Sequence, residues 1–356
     1  MKIGIITQPL FNNYGGILQN FALQHTLISL GHTPITIDQK KSFSVFRFCL
    51  STIKTILLRV LGRRLSFLKI HRNALFDNFI KCNINTTALC SSLNQSIISK
   101  YRCECVIVGS DQVWRPCYNV GTLEDMFLSF IKDSHIKKIA YAASFGVDMW
   151  EYDCNQTLIC ADLAQKFDAI SVREESGVEL CREYLKVTAQ QVLDPTLLVD
   201  KSDYKTLCQD IPEENTPFIF AYILDMNNDV QDYLALMESE RNMKIKIVSA
   251  DANVKLSIEQ WLSMFHDAAY VVTDSFHGTC FSILFETDFY CIGNKHRGKT
   301  RMISLLNIFQ LQNRYIELPF DYNERSQISS IDWVCVGLIK RERMTASINY
   351  LKDNLR

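Results

Sequence analysis

The first forty residues alternate between strand-like and helical patterns, and this alternation limits the fold more than any other feature. Lys2–Thr7 is a short apolar run, Asn12–Gly16 is a polar loop with two glycines, and Ile17–Leu30 has helical spacing. Gly31 follows as a helix stop, and Thr33–Asp38 alternates as a second strand. A strand, a helix and a second strand in this order predict a βαβ unit in a parallel sheet.

Further strand-like runs follow along the chain, and most of them precede a loop of small or polar residues. They are Cys105–Val108, Ile139–Ala142, Asp168–Val172, Gln191–Leu193, Phe218–Leu224, Ile245–Ser249, Tyr270–Thr273 and Phe289–Gly293. The polar segment Asp210–Thr216 separates an earlier group of strands from a later one. We therefore expect an α/β fold with two Rossmann-like domains facing a central cleft. The alternative is one large α/β domain.

The predicted boundaries place an N-terminal domain at residues 1–210, with a basic helical insertion at about 40–80. A C-terminal domain follows at residues 211–330, and residues 331–356 form a helix that packs back on the body. The N-terminal domain is expected to bind an acceptor and the C-terminal domain a donor. In open parallel sheets, ligands bind at the loops beyond the carboxyl ends of the strands, so the candidate residues should lie there.

Charge and cysteine content exclude several classes of function. With 38 Lys and Arg against 39 Asp and Glu, the formal net charge is -1, and no global field recruits nucleic acid. The 13 cysteines show no pair of C-x-x-C motifs of the zinc type, so we expect reduced thiols. The amino terminus lacks the pattern of a secretory signal, and no apolar run is long enough to span a membrane. These features predict a cytoplasmic protein.

Two loops of the N-terminal domain contain candidate acceptor-binding residues. The loop after the first strand has glycines that allow close backbone approach to a ligand, although a plain tight turn is the alternative. The loop after Cys105–Val108 combines polar groups for sugar hydroxyls with an indole face. Its Asp111 is a candidate base, or else a helix cap. The candidate acceptor contacts are Asn13, Tyr14, Gly15, Gly16, Gln19, Ser110, Gln112 and Trp114.

The candidate donor-binding residues lie farther along the chain. Arg173 stands at a strand end beside a helix start, where an anion is favoured, although a surface pair with Glu174 or Glu175 is the alternative. His277 lies at the start of another helix and could exchange protons near neutral pH. The remaining candidates are Ser275, Gly278, Thr279, Lys295, Arg297 and Arg301. For the last three, which lie in a cationic loop, a solvated charge run is the alternative.

These segments, taken in order, resemble the polysaccharide pyruvyl transferase family. The resemblance rests on N-N-Y-G-G-I-L-Q-N, V-G-S-D-Q-V-W, A-A-S-F-G, S-V-R-E, D-P-T-L-L and T-D-S-F-H-G-T, and it runs from Lys2 to about Arg314. It implies two Rossmann-like domains of the glycosyltransferase B type. It also implies a transferase that moves a pyruvyl group from phosphoenolpyruvate to a pair of sugar hydroxyls as a ketal, during cell-surface or capsular polysaccharide biosynthesis.

The resemblance implies roles for individual residues. His277 becomes the acid that protonates the donor's methylene carbon, and Arg173 holds the donor's carboxylate or phosphate. In better-known members an arginine and a leucine precede that histidine, whereas this chain has Ser275 and Phe276 there. Lys295, Arg297 or Arg301 are the candidates to supply the missing positive charge. Phosphoenolpyruvate is a substrate, and the mechanism calls for no cofactor and no metal.

Two other functions and one membrane hypothesis remain open from the sequence. The same cleft would serve a nucleotide-sugar-dependent glycosyltransferase, and a non-catalytic glycan-binding protein would keep the polar loops. Residues 40–76 carry nine basic side chains interleaved with apolar ones and no acidic residue before Asp77. This stretch predicts either an ordinary basic helix pair or a peripheral contact with the inner face of a membrane, next to a lipid-linked saccharide acceptor.

Overall fold

The computed structural model describes residues 1–40, 72–249, 256–294, 299–319 and 330–356, and it contains two parallel β-sheets. The strands of the first sheet pair in the order β2-β1-β3-β4-β5-β6. Their bounds are β1 Lys2–Ile6, β2 Thr33–Thr36, β3 Cys105–Val108, β4 Lys137–Ala143, β5 Ala169–Val172 and β6 Gln190–Gln191. All four residues of β3 are buried, because helices cover both faces of a parallel sheet and its central strands are apolar throughout.

The second sheet pairs its strands in the order β11-β10-β9-β7-β8, again all parallel. Their bounds are β7 Phe218–Ile223, β8 Lys244–Ser249, β9 Tyr270–Thr273, β10 Phe289–Ile292 and β11 Tyr315–Ile316. The predicted boundary after residue 210 lies between β6 and β7. Two sheets of this kind confirm the predicted α/β fold with two Rossmann-like domains.

Helices cover the faces of both sheets. Their bounds are α1 Tyr14–Ser29, α2 Ala74–Asn83, α3 Gln95–Lys100, α4 Cys154–Ala164, α5 Glu175–Leu180, α6 Lys201–Leu207, α7 Asn228–Arg241, α8 Ile258–Asp267, α9 Phe276–Phe285, α10 Thr300–Ile308 and α11 Trp333–Asn354. A π-helical turn at Cys181–Leu185 continues α5. Helix α1 begins three residues before its predicted start, because the side chain of Asn13 accepts a hydrogen bond from the backbone N–H of Gly16 and caps it.

Side chains from α1 and α8 join the two halves of the molecule. The ring of Tyr14 stacks on Trp261 with centroids 5.0 Å apart, and its hydroxyl donates to the carbonyl of Leu256 over 2.8 Å. Burial raises the pKa of Tyr14, so the hydroxyl stays protonated and keeps this bond. The Tyr14 contact thus fixes the first turn of α1 against the second sheet's helix layer.

Helix α11 follows the second sheet in sequence but packs on the first. The hydroxyl of Tyr350 donates to the carbonyl of Ala140 in β4 over 3.0 Å. Ser347 accepts from the backbone N–H of Leu193 over 3.0 Å, just beyond β6. The chain therefore crosses back at its carboxyl end and ties the two sheets together.

Most of the predicted basic insertion, residues 41–71, lies outside the described residues. At its described end Arg72 donates to Asp38 over 2.8 Å and to Asp77 over 3.3 Å, and its side chain is 17% exposed. Arg72 therefore serves an internal ion pair. Within the described ranges, no helix combines the length and apolarity needed to cross a bilayer.

Candidate functional site

The candidate site forms where the strand order of each sheet reverses. In the first sheet the reversal lies between β1 and β3, and in the second it lies between β7 and β9. Loops diverge from the carboxyl ends of such neighbouring strands and leave a crevice. Asp111 lies in the loop after β3 and His277 in the first turn of α9, after β9, so both are at the reversals, whereas Arg173 follows β5, two strands from β3.

Asp194 lies just beyond β6, whose Gln191 pairs with Val172 of β5. It is the centre of the hydrogen-bond network. Its Oδ2 accepts from Arg173 over 2.7 Å and from the hydroxyl of Ser110 over 3.0 Å. Its Oδ1 accepts from the backbone N–H and the hydroxyl of Thr196 over 3.0 and 2.8 Å. Burial by itself would raise the pKa of Asp194, but His277, Arg173 and the Thr196 N–H lower it well below the usual range. Asp194 is therefore a buried carboxylate.

Arg173 is enclosed by acidic side chains. Besides Asp194, its Nε donates to Glu174 over 3.2 Å, and one of its terminal nitrogens lies 3.9 Å from Asp111 Oδ1. That nitrogen has no hydrogen-bond partner among the described residues. Burial by itself would lower the pKa of Arg173, but Glu174, Asp194 and Asp111 together raise it above its ordinary value. The pair with Glu174 that the sequence offers as an alternative does form, but it is buried rather than on the surface.

His277 is the second residue of α9 and packs against the first turn of α1. Its Nε2 lies 3.7 Å from Asp194 Oδ2, an ion-pair distance that is too long for a hydrogen bond. A Cβ atom on Gly15 would lie 2.0 Å from His277 Nδ1, so only glycine allows the ring to lie there. The amino termini of α1 and α9, with their partial positive charges, thus meet at the His277 ring.

Two arginines lie near the ring of Phe276. The guanidinium carbon of Arg173 is 4.1 Å from the centre of the Phe276 ring, and that of Arg301 is 5.7 Å from it. Burial, and then the charge of Arg173, lower the pKa of Arg301 to about 10. Two buried guanidiniums therefore face one aromatic ring. Lys295 and Arg297, also predicted to contact the donor, lie outside the described residues.

Asp111 follows β3 in an unusual backbone conformation. Its φ is 74°, in the left-handed region that non-glycine residues rarely occupy. Its Oδ1 accepts from the backbone N–H of the next residue, Gln112, over 2.8 Å. The helix-cap alternative is wrong, because the next helical turn, Pro116–Tyr118, has no side-chain cap. The backbone directs the Asp111 carboxylate toward Arg173 instead.

Three predicted acceptor contacts are wholly buried, and the structure gives them internal roles. Gln19 donates to the hydroxyl of Thr7 over 2.9 Å and accepts from the backbone N–H of Ser110 over 3.1 Å, which fixes two loops together. Ser110 in turn binds Asp194. The indole of Trp114 stacks on Phe127 and donates to a backbone carbonyl over 3.0 Å. With relative exposures of 0% for Gln19, Ser110 and Trp114, the prediction that they touch an acceptor is corrected.

The other predicted contacts near the two helix starts mainly shape them. Asn13 caps α1, and Ser275 caps α9 by accepting from the backbone N–H of Gly278 over 3.3 Å. Thr279 is fully buried, and its hydroxyl donates a hydrogen bond to the carbonyl of Ser275 over 3.1 Å. The prediction that Thr279 contacts the donor substrate directly is therefore corrected. Gln112 lies beside Arg115 with 3.4 Å between its Oε1 and a guanidinium nitrogen.

Gly16 and Gly278 complete this set of predicted contacts. A Cβ on Gly278 would lie 2.3 Å from the hydroxyl of Thr273, so α9 packs tightly on the end of β9. At Gly16 the same test finds the side chain of Asn13, the residue that caps α1, at 3.1 Å. Gly278 is therefore a packing glycine, whereas Gly16 is less constrained.

Asp194 and Glu174 are site residues that the sequence patterns do not single out. The sequence places Asp194 only within the D-P-T-L-L motif and offers Glu174 only as a surface partner of Arg173. The available signal was an acidic residue directly after the predicted strand Gln191–Leu193, which pairs with the strand that precedes Arg173. Glu174 accepts from Ser144 over 2.6 Å as well as from Arg173, which places the A-A-S-F-G loop in the same network.

A nucleotide-sugar enzyme would want a carboxylate for the ribose in the second domain, and the two candidates, Asp274 and Glu286, already have partners. Asp274 accepts from the backbone N–H groups of Leu224 and Asp225 over 2.6 and 3.0 Å and from Asn294 over 2.8 Å. Glu286 pairs with Lys201 over 2.7 Å. In the part of the chain that the structure describes, no group of His, Cys, Asp and Glu is arranged to hold a metal ion.

A family model described as polysaccharide pyruvyl transferase matches residues 13–296. A putative UDP-N-acetylglucosamine 2-epimerase from Listeria monocytogenes is similar in structure, with a TM-score of 0.52 and 9% identity over 99% of this chain and 95% of that one. A UDP-GlcNAc 2-epimerase from Methanocaldococcus jannaschii, in complex with UDP-GlcNAc and UDP, has a TM-score of 0.47 and 10% identity over 97% and 94%. No curated protein sequence matches the chain. At this identity the Listeria likeness shows the fold alone.

Proposed function

The chain belongs to the polysaccharide pyruvyl transferase family, and from that premise we propose that it transfers a pyruvyl group from phosphoenolpyruvate to two hydroxyls of a saccharide as a ketal. The acceptor would belong to the assembly of a cell-surface or capsular polysaccharide, free or lipid-linked. The observation that carries the proposal is the pair of buried guanidiniums, Arg173 and Arg301, on the Phe276 ring next to His277.

This arrangement suits a small donor with two anionic groups. Phosphoenolpyruvate has a carboxylate and a phosphate on adjacent positions of one planar carbon skeleton, and guanidiniums bind both groups through forked N–H pairs. The positive ends of α1 and α9 add to the attraction. The absence of the family's arginine at Ser275 is offset in this proposal by Arg301, whose guanidinium carbon is 5.7 Å from the centre of the Phe276 ring.

Donor binding requires more positive charge than the two buried arginines supply. Asp111, Glu174 and Asp194 bring three carboxyl groups to a cluster with two guanidiniums, and a donor would add more negative charge. Lys295 and Arg297, a few residues before Arg301 in sequence, are the cations that we propose for the phosphate.

The proposed reaction balances with these groups alone. His277 gives a proton to the methylene carbon, and one sugar hydroxyl adds to C2 of the donor. The second hydroxyl then displaces phosphate from C2 and closes the ketal. Of the two hydroxyl protons released, one restores His277 and the other leaves with phosphate. Asp111 is the proposed base for the first hydroxyl, and the cations stabilise the departing phosphate.

Titration calorimetry with phosphoenolpyruvate and with a panel of UDP-sugars tests the donor. We expect saturable binding of phosphoenolpyruvate that weakens at least tenfold in Arg301→Gln, because a guanidinium contact to an anion contributes on the order of 1.5–3 kcal/mol. The matched control is Arg182→Gln, since Arg182 is 75% exposed and pairs only with Glu179 on the surface. Binding of a UDP-sugar without phosphoenolpyruvate would favour the glycosyltransferase alternative.

Phosphate release then separates an enzyme from a glycan-binding protein. With phosphoenolpyruvate and a panel of p-nitrophenyl glycosides as acceptors, turnover should release one phosphate for each ketal formed. Binding of a glycoside with no phosphate release from any member of the panel would count against catalysis.

A further inference from the structure

We infer that Asp194 is a positioning residue that holds the His277 ring with Nε2 toward its own carboxylate, so that Nδ1 is the nitrogen that exchanges a proton with the substrate. The inference rests on the proposed function for the identity of that substrate. The orientation of the His277 ring does not depend on the proposed function, because it can be measured in the protein alone. Asp194 itself would touch no substrate atom.

The Asp194 carboxylate is fixed by four hydrogen bonds, two to each oxygen. Oδ1 accepts two hydrogen bonds from Thr196, and Oδ2 accepts from Arg173 and Ser110. A carboxylate that is bonded through both oxygens cannot rotate. Oδ2, which accepts the bonds from Arg173 and Ser110, also lies 3.7 Å from His277 Nε2. An approach of less than 1 Å by the ring, on the order of an ordinary side-chain fluctuation, would complete a charge-assisted hydrogen bond.

The two nitrogens of His277 have different surroundings. Nε2 is buried and has no hydrogen-bond partner among the described residues, whereas Nδ1 lies against Gly15 in the first turn of α1. A buried N–H gains from facing a carboxylate, and a buried bare nitrogen there would be repelled by it. The local field therefore favours a proton on Nε2 at all times, and leaves Nδ1 to gain and lose the proton that reacts.

The charges around the ring support this division of roles. Asp194 faces it from the segment after β6, and Arg173 lies behind Asp194 at the end of β5. Arg301, Asp111 and Glu174 form the next layer, while the first turn of α1 contributes no charged residue. Asp194 is the acidic group nearest the ring in this set, so it is the one that stabilises the imidazolium before the proton leaves from Nδ1. After transfer, the ring is neutral and still has its proton on Nε2.

The tautomer of the neutral ring tests the inference without any substrate. With the protein labelled with ¹⁵N in histidine, two-bond proton–nitrogen correlations distinguish the two tautomers, and His277→Gln identifies the signal. We expect the neutral His277 ring to have its proton on Nε2. A proton on Nδ1 would overturn the inference, whether or not phosphoenolpyruvate proves to be the donor.

Variants of the network give a second test. Asp194→Asn should shift the population toward the other tautomer and lower kcat by about 10²-fold or more, the usual range for loss of a correctly placed acid. Asp162→Asn is the matched control, because it makes the same change in a carboxylate that is 71% exposed and pairs with Lys166 on the surface, and it should retain the tautomer and kcat within about threefold. Equal tautomer populations in wild type and Asp194→Asn would contradict the inference. If Asp194→Asn does not fold, the wild-type tautomer still decides.

Discussion

Arg173 and Asp194 form an ion pair of 2.7 Å in which the two side chains are only 2% and 0% exposed. The pair joins the ends of β5 and β6, and the same arginine stacks on Phe276 from the other sheet's α9. Arg173 therefore holds the site together across the cleft. Replacing Arg173 should therefore affect stability as well as donor binding, because the residue that the sequence assigns to the donor also neutralises a buried acidic cluster.

Arg173→Ala should destabilise the fold by about 3–5 kcal/mol, because removal of one partner leaves Asp194 as an uncompensated buried charge. Urea unfolding measures the change. Arg182→Ala is the control, since that side chain is 75% exposed and its loss should cost less than about 0.5 kcal/mol. A stable Arg173→Ala protein that has only lost donor affinity would mean that Arg173 is a ligand contact rather than a structural one.

Asp194 should make the protein sensitive to acid. Its folded-state pKa is lowered by His277, Arg173 and Thr196 against the opposing effect of burial, whereas in the unfolded chain it is about 3.9. The stabilisation is therefore fully present above about pH 5 and is lost as the pH falls toward the folded-state pKa. The free energy of unfolding, measured by urea between about pH 7 and pH 3, should fall more in the wild type than in Asp194→Asn. Parallel curves would contradict this assignment.

Local patterns predicted the sheets well and the helix starts less well. Strands β3 and β9 have the predicted bounds, because a short apolar run ending at a polar loop leaves little choice in a parallel sheet. Helix α1 starts earlier than its apolar spacing suggests, since the cap by Asn13 extends it through two glycines. Capping depends on a side-chain rotamer, which the apolar pattern does not reveal.

The site was harder to predict, because its centre depends on contacts between distant segments. Asp194 lies 21 residues from Arg173 and 84 from Ser110, and nothing in the D-P-T turn alone indicates either partner. The polar atoms of Gln19 and Trp114 suggested ligand contacts, yet both side chains satisfy their hydrogen bonds internally. A polar group after a strand shows where a site is, but only the fold shows which atoms remain available.

Trp114→Phe should lower stability and leave acceptor use unchanged. The substitution removes the hydrogen bond from the indole nitrogen and leaves the carbonyl of Met126 buried without it, which costs on the order of 1–3 kcal/mol. We expect a lower urea midpoint and a KM for the best p-nitrophenyl glycoside within about twofold of wild type. A raised KM at unchanged stability would restore the acceptor role that the sequence suggested.

Phe276→Leu should weaken donor binding about tenfold, a change of about 1.4 kcal/mol. Leucine keeps the site apolar, but it has no π face for the guanidiniums of Arg173 and Arg301. Calorimetry with phosphoenolpyruvate measures the loss, and Phe309→Leu in the buried core is the control. Unchanged affinity in Phe276→Leu would show that the ring does not organise the two arginines for a ligand.

Gly15→Ala should inactivate the protein while leaving it folded. The added methyl group would lie 2.0 Å from Nδ1 and 2.3 Å from Cγ of His277, so the ring must move out of line with Asp194. Alanine is the better helix former by up to about 1 kcal/mol, so helix stability alone does not oppose the change. Gly16→Ala is the matched control in the same turn, because its methyl group meets only the end of the Asn13 side chain at 3.1 Å. If phosphate release falls at least tenfold in Gly15→Ala and less than threefold in Gly16→Ala, the placement of His277 against α1 is what activity requires. Equal activities would mean that the ring can react from more than one position.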